Sequence, residues 1–203
     1  MITNEKIFMK KFLMILVLGL FIITPSLSDD IRDFQIEGMS IGDSLLDYFS
    51  ENEIKERKRT DYKSKKFSRV SFNISKFENF GALQFHFKTK DKKYIIHQIS
   101  GGIFYPNDIK NCFKKKKEIT EEVSKLFDKA KKWDSNNSKH KGDETGESVS
   151  HTTYFDFKSG DSAKVQCMNW SERLTSEKNW IDHLKLSVAT AEIVDWYINE
   201  AHK

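Results

Sequence analysis

The sequence predicts an α+β fold, in which helices pack on an antiparallel sheet of hairpins. Three observations predict this class: apolar and polar residues alternate with a period of two in several short stretches, polar turns separate these stretches, and helical patterns lie between the groups of strands. Helices and strands do not alternate strictly, which argues against a doubly wound parallel fold. The predicted order is α-βββ-α-βββ-α, compatible with two αβββ halves, within a single domain at 29–203.

The first predicted helix covers about 41–57. Ser40 fits the N-cap position and Asp43 the third helical position of a capping-box variant. Ile41 and Leu45 then follow at helical spacing, which predicts one buried face.

Alternation predicts the first three strands at about 70–74, 83–87 and 94–99, and Gly101-Gly102 is predicted to end this group. A second helix is predicted at about 107–133, or two helices with a break near Thr120.

Residues 134–150 contain no large apolar residue except Val149, which predicts a mobile polar loop. Three more strands are predicted at about 153–157, 163–167 and 184–188, and a last helix begins after Thr190.

Residues 1–28 have the layout of a cleavable secretory signal peptide. Three lysines precede an apolar run at 12–23, and Ser26 and Ser28 provide small residues before the expected cleavage site. The run of 12 residues is shorter than the ~20 that a spanning helix needs. The sequence therefore predicts export, most simply to the periplasm of a Gram-negative bacterium, with no membrane span after cleavage.

Charge excludes one class of partner. Without residues 1–28 the chain has 31 basic and 29 acidic residues, and the net charge falls to +2. Nucleic-acid binding by electrostatics needs a strong basic excess, so no nucleic-acid partner is expected. No cofactor is expected either.

The two cysteines predict a disulfide. Cys112 and Cys167 both fall on predicted inward faces, and export places them in an oxidising compartment. The alternative is two buried free thiols.

Two short motifs resemble those of serine hydrolases. Residues 38–42 match G-x-S-x-G, and Gly42-Asp43-Ser44-Leu45 spells the block of the GDSL hydrolases, so Ser44, or else Ser40, is the candidate nucleophile. The D-x-x-H partner block of that family is absent from the sequence, and a serine without a base gains little reactivity. Helix capping explains the same residues.

His86 and His97 are the candidate metal ligands. They would oppose each other if the hairpin turned on Asp91-Lys92. A cross-strand pair of histidines is an incomplete ligand set, because no third ligand is placed with them.

Residues 30–49 (DIRDFQIEGMSIGDSLLDYF) resemble the mature N-terminus of small uncharacterised exported proteins from A+T-rich marine alphaproteobacteria, and the likeness extends to the segments that hold Cys112 and Cys167. That resemblance implies a periplasmic location and no assigned activity. Gly38-Met39-Ser40 is more loosely similar to the start of small outer-membrane assembly subunits and β-lactamase-inhibitor-like folds, which are binding modules.

The leading functional prediction is a periplasmic, non-enzymatic module that binds a protein or envelope partner. The alternatives are a GDSL-like serine esterase that uses Ser44 or Ser40, and a carrier for a small apolar ligand.

Overall fold

The computed structural model describes residues 30–73 and 77–203, so the predicted signal peptide lies outside the described residues. The strands form one seven-stranded sheet in the order β1-β2-β3-β7-β6-β5-β4, and every neighbouring pair is antiparallel. The strands are β1 (Phe67–Phe72), β2 (Ala82–Lys88), β3 (Gln98–Phe104), β4 (Lys131–Lys139), β5 (Val149–Asp156), β6 (Ser162–Asn169) and β7 (His183–Ala189). The predicted α+β class and its hairpin arrangement are confirmed.

The described residues form four α-helices and two short 3₁₀ helices. The α-helices are α1 (Glu51–Arg57), α2 (Ile109–Leu126), α3 (Glu172–Lys178) and α4 (Ala191–Asn199), and the 3₁₀ helices are Ile31–Asp33 and Leu45–Asp47. In the described part of the chain, no helix combines the length and the apolar character that crossing a membrane requires.

One face of the sheet carries the main core. Residues paired across antiparallel strands point to the same face, so the alternation of each strand produces one continuous apolar surface. Helix α2 and the segment before α1 cover this surface. Its fully buried sheet residues include Val70, Phe72, Leu83, Phe85, Phe87, Ile99, Val165, Leu184 and Val188.

The predicted disulfide is confirmed. Cys112 on α2 and Cys167 on β6 form a bridge, and both side chains are fully buried. The bridge fixes α2 to the apolar face of the sheet.

The predicted first helix is wrong in extent. Gly42 has a φ of +95°, a conformation that a right-handed helix excludes, so the chain turns there instead of continuing. Only residues 51–57 form an α-helix, and Ser50 caps it in a capping box with Glu53. Ser40 is not its N-cap: its backbone N–H donates to the Asp43 carboxylate (2.8 Å) within a turn.

The stretch 134–150 is not a single loop. Residues up to Lys139 belong to β4, and β5 begins at Val149. The second predicted helix ends earlier than expected, at Leu126, because β4 already begins at Lys131. Strand β4 pairs only with β5 and is largely exposed on both faces. An edge strand of this kind needs no apolar alternation, which is why the pattern predicted a loop.

Gly101 and Gly102 lie inside β3 and do not end it. A Cβ on Gly101 would come within 2.5 Å of the Phe80 ring. The missing side chain therefore allows this ring to lie directly on the sheet, one of the uses of glycine within a strand.

A smaller cluster lies on the second face of the sheet. Phe67 and Ala189 pack there against Ile193 and Trp196 of α4. Thr190 caps α4 by accepting from the Ile193 N–H, as the predicted start of the last helix requires.

Candidate functional site

A cavity of about 850 Å³ lies on the apolar face of the sheet. Its walls come from residues 34–39, residues 77–80 and α2, and Ile103 and Leu186 of the sheet form its floor. Leu126 and Tyr48, both exposed, also line it, so the cavity is open to solvent. Pockets for small molecules in proteins have volumes of this order.

The first wall is a tight hairpin at residues 36–39. The backbone groups of Ile36 and Met39 exchange two hydrogen bonds of 3.0 and 3.1 Å. The two residues between them, Glu37 (φ 53°) and Gly38 (φ 77°), both lie in the left-handed region. Positive φ at both central positions is the geometry of a two-residue type I′ turn. This turn directs the buried side chains of Ile36 and Met39 toward the core.

The second wall is fixed to the first by Glu37. Its carboxylate accepts the backbone N–H groups of Glu78 (3.1 Å) and Asn79 (2.8 Å). Charge-assisted bonds of this kind are stronger than neutral ones. They hold Phe77 and Phe80, which line the cavity on either side of this pair.

Helix α2 forms the third wall with one apolar stripe. Ile119 and Val123 are buried at i, i+4 spacing, and Leu126 follows three residues later with 48% of its surface exposed. This half-exposed leucine places apolar surface where a ligand would enter.

The lining also contains seven polar residues: Gln35, Glu37, Tyr48, Glu78, Asn79, Lys115 and Glu122. Lys115 donates to Glu118 (3.2 Å), and the Tyr48 hydroxyl donates to Asp43 (2.7 Å). Burial and the neighbouring Asp43 carboxylate raise the pKa of Tyr48 to about 12, so its hydroxyl stays protonated at neutral pH. The described lining residues include no serine, cysteine or histidine. The lining therefore combines a mainly apolar surface with several polar side chains.

The structure places Ser40 and Ser44 in backbone hydrogen bonds beside this region. The Ser40 hydroxyl donates to the Phe34 carbonyl (3.4 Å). The Ser44 hydroxyl donates to the Lys93 carbonyl (2.6 Å) and accepts the Leu46 N–H (3.2 Å), which makes Ser44 the cap of a 3₁₀ helix. The GDSL block thus forms a hydrogen-bonded turn. The sequence predicted Ser40 as a helix N-cap, whereas in the structure Ser44 is the N-cap, of the 3₁₀ helix Leu45–Asp47.

His86 and His97 are adjacent but take separate partners. His86 is paired with Gln98 in the β2–β3 register, while the His97 N–H donates to the His86 carbonyl (2.8 Å). The His86 Nε2 lies 3.0 Å from the Tyr197 hydroxyl, and the His97 Nδ1 lies 3.3 Å from the Thr190 hydroxyl. Within residues 30–73 and 77–203, no group of three or more His, Cys, Asp or Glu side chains is arranged to hold a metal ion.

Sequence reasoning missed the cavity, although one clue was present. Phe77 and Phe80 are two aromatic residues three apart in a stretch that fits neither strand nor helix periodicity. Large apolar residues in such a connection need a surface to pack against, and here they pack on the sheet beside Gly101.

The chain has no match among family models, among curated proteins or among solved structures.

Proposed function

We propose that this chain is a periplasmic, non-enzymatic binding domain that holds a small apolar ligand in the cavity between α2 and the 36–39 hairpin. The cavity is the observation that carries the proposal: it has the volume of a small-molecule site and a mainly apolar lining. The predicted signal peptide and the buried Cys112–Cys167 disulfide support an exported location.

The test uses the fluorescent probe N-phenyl-1-naphthylamine, which is small and apolar. Saturable binding with one site per chain is expected for the oxidised protein that begins after residue 28. Leu126→Trp and Ile103→Phe add bulk to the wall and the floor of the cavity, and each is expected to weaken binding by about tenfold or more. Ile198→Trp is the matched control, because Ile198 is 71% exposed on α4, away from the cavity.

Two results would contradict the proposal. One is a lack of saturable probe binding by the folded wild-type protein. The other is equal affinity in the wild-type protein and both cavity variants, since a filled cavity cannot accept the probe as before.

A separate observation favours a second function, docking of an envelope protein. Trp170 packs against Trp180 (ring centroids 4.4 Å apart) and His140 (4.7 Å). Trp180, Phe104 and Ile181 near this cluster are all exposed. Exposed tryptophan and other aromatic side chains are enriched at protein interfaces.

Cross-linking in intact envelopes tests this second function. A partner captured by the wild-type protein is expected to be lost when Trp180→Ala and Ile181→Ser are introduced together, and to be retained in Ile198→Ser. Capture of the same partner by all three proteins would rule out this surface as the contact.

A further inference from the structure

The second face of the sheet carries two lysines side by side. In the β6–β7 register, Lys164 pairs with Ser187 and Lys185 pairs with Gln166. Paired residues share a face, as do residues two apart on one strand, so the two lysines are diagonal neighbours on the same surface. Leu186, next to Lys185, lines the cavity on the other face. This lysine pair is therefore separate from the apolar site.

Neutral hydrogen-bonding side chains surround the two lysines. The Lys185 ammonium donates to Gln84 Oε1 (3.1 Å), and the Ser187 hydroxyl donates to the Ser100 hydroxyl (2.8 Å). Gln166, beside Lys185, donates to Thr152 (2.9 Å).

Neither ammonium group has an acidic partner within ion-pair distance among the described residues. None of the ion pairs that the described residues form includes Lys164 or Lys185. Arg69, a further cation of this face, is already paired with Asp61 at 2.6 Å. Both lysines are half-buried, so their amino groups are neither fully solvated nor paired with an opposite charge.

The local environment penalises these charges. Burial lowers the pKa of both lysines, and for Lys185 the nearby cations Lys164 and Arg69 add to this effect and bring the pKa to about 7. An anion placed between the two ammonium groups would reverse the penalty, because it would provide the missing opposite charge.

The residues along the path of the Lys185 side chain are small. Lys185 lies beside Gly102 of β3, and Ala82 of β2 follows in the same row. Neither carries a long side chain, so the stem of Lys185 lies over the sheet without obstruction and reaches Gln84 two strands away.

We propose that Lys164 and Lys185 form a binding site for an oxyanion, the phosphate or carboxylate group of a small ligand, on the second face of the sheet. The ligand would be held by two ammonium groups, with the Ser100 and Ser187 hydroxyls beneath them. This site is independent of the apolar cavity, and either can exist without the other.

Calorimetric titration at pH 7 and constant ionic strength tests the site, with inorganic phosphate in one arm and acetate in the other. Saturable binding of at least one anion is expected. Lys164→Met and Lys185→Met, which keep the length of the side chain, are each expected to weaken it by about tenfold. Lys110→Met is the matched control, because Lys110 is an exposed lysine on α2, which covers the opposite face. Whether phosphate or acetate binds distinguishes a phosphate site from a carboxylate site.

A second measurement keeps the test decisive if a variant folds poorly. In the wild-type protein, the preferred anion is expected to raise the melting temperature, whereas sodium chloride at equal ionic strength is not. Absence of saturable binding in both arms, or undiminished binding in both lysine variants, would overturn the proposal.

Discussion

The Cys112–Cys167 disulfide provides a quantitative test of how α2 is held on the sheet. The bridge links residues 55 positions apart in the sequence. Closing a loop of this length removes chain entropy from the unfolded state, which the loop-entropy relation converts to about 4 kcal/mol at 25 °C. For a domain of this size, 1 kcal/mol shifts the melting temperature by about 2–4 °C, so loss of the bridge is expected to lower it by about 8–16 °C.

The assay compares three forms of the protein that begins after residue 28, by thermal and urea unfolding followed by circular dichroism. These are the oxidised wild type, the wild type reduced with dithiothreitol, and the double variant Cys112→Ala/Cys167→Ala. The reduced wild type separates the bridge from the loss of two buried sulfur atoms, because it keeps both side chains. A difference of less than about 1 kcal/mol between the oxidised and reduced wild type would refute the loop-entropy reasoning.

Three further predictions concern single side chains. Gly101→Ala forces the Phe80 ring away from the sheet and is expected to lower the free energy of unfolding in urea by about 1–3 kcal/mol. Gly102→Ala is the control, because a Cβ there would lie 3.8 Å from its nearest neighbour. Equal losses of stability in the two variants would contradict the steric explanation. Burial lowers the pKa of His86 to about 3, so between about pH 6.5 and 3 this histidine is protonated in the unfolded chain but not in the folded one. The free energy of unfolding is therefore expected to fall as the pH drops through this range. A His86→Gln variant with the same dependence of stability on pH would show that His86 is not the cause. Ser50→Ala removes the cap of α1 and is expected to cost about 1 kcal/mol by chemical denaturation, and an unchanged midpoint would show that the capping box adds nothing.

Sequence periodicity predicted the parts of the fold whose burial is one-sided. The strands around Phe85 and Val165 alternate because one face of each packs into the main core, which α2 and the segment before α1 cover, and the other face does not. The same logic placed both cysteines on inward faces and so predicted their bridge. Thr190 was identified as the boundary of the last helix from the apolar spacing that follows it.

The predictions of secondary structure were wrong where local sequence patterns compete with tertiary contacts. The residues after Ser40 have helical spacing, but the positive φ at Gly42 breaks the helix, and the apolar side chains reach the core from turns. Strand β4 is stabilised by its pairing with β5, and burial contributes little to it, so its composition resembles that of a loop.

The cavity could not be predicted from any one segment. Its walls come from residues 34–39, residues 77–80 and α2, which only the folded chain brings together. The two hydrogen bonds that the N–H groups of residues 78 and 79 donate to the Glu37 carboxylate join segments that are about 40 positions apart. The lysine pair was missed for a similar reason, since only the β6–β7 register shows that Lys164 and Lys185 are neighbours.

The position of β7 in the sheet determines when the sheet can be completed during folding. It is the last strand in the sequence, yet it lies at the centre, between β3 and β6. Without residues 183–189 the sheet would be two separate three-stranded meanders in which β3 and β6 are additional unpaired edges, and such edges readily pair with other chains. A protein delivered across a membrane from its N-terminus would therefore complete its sheet only after almost the whole chain had emerged. Truncation before β7 would leave one chain with two unjoined meanders, which is expected to aggregate instead of forming a smaller domain.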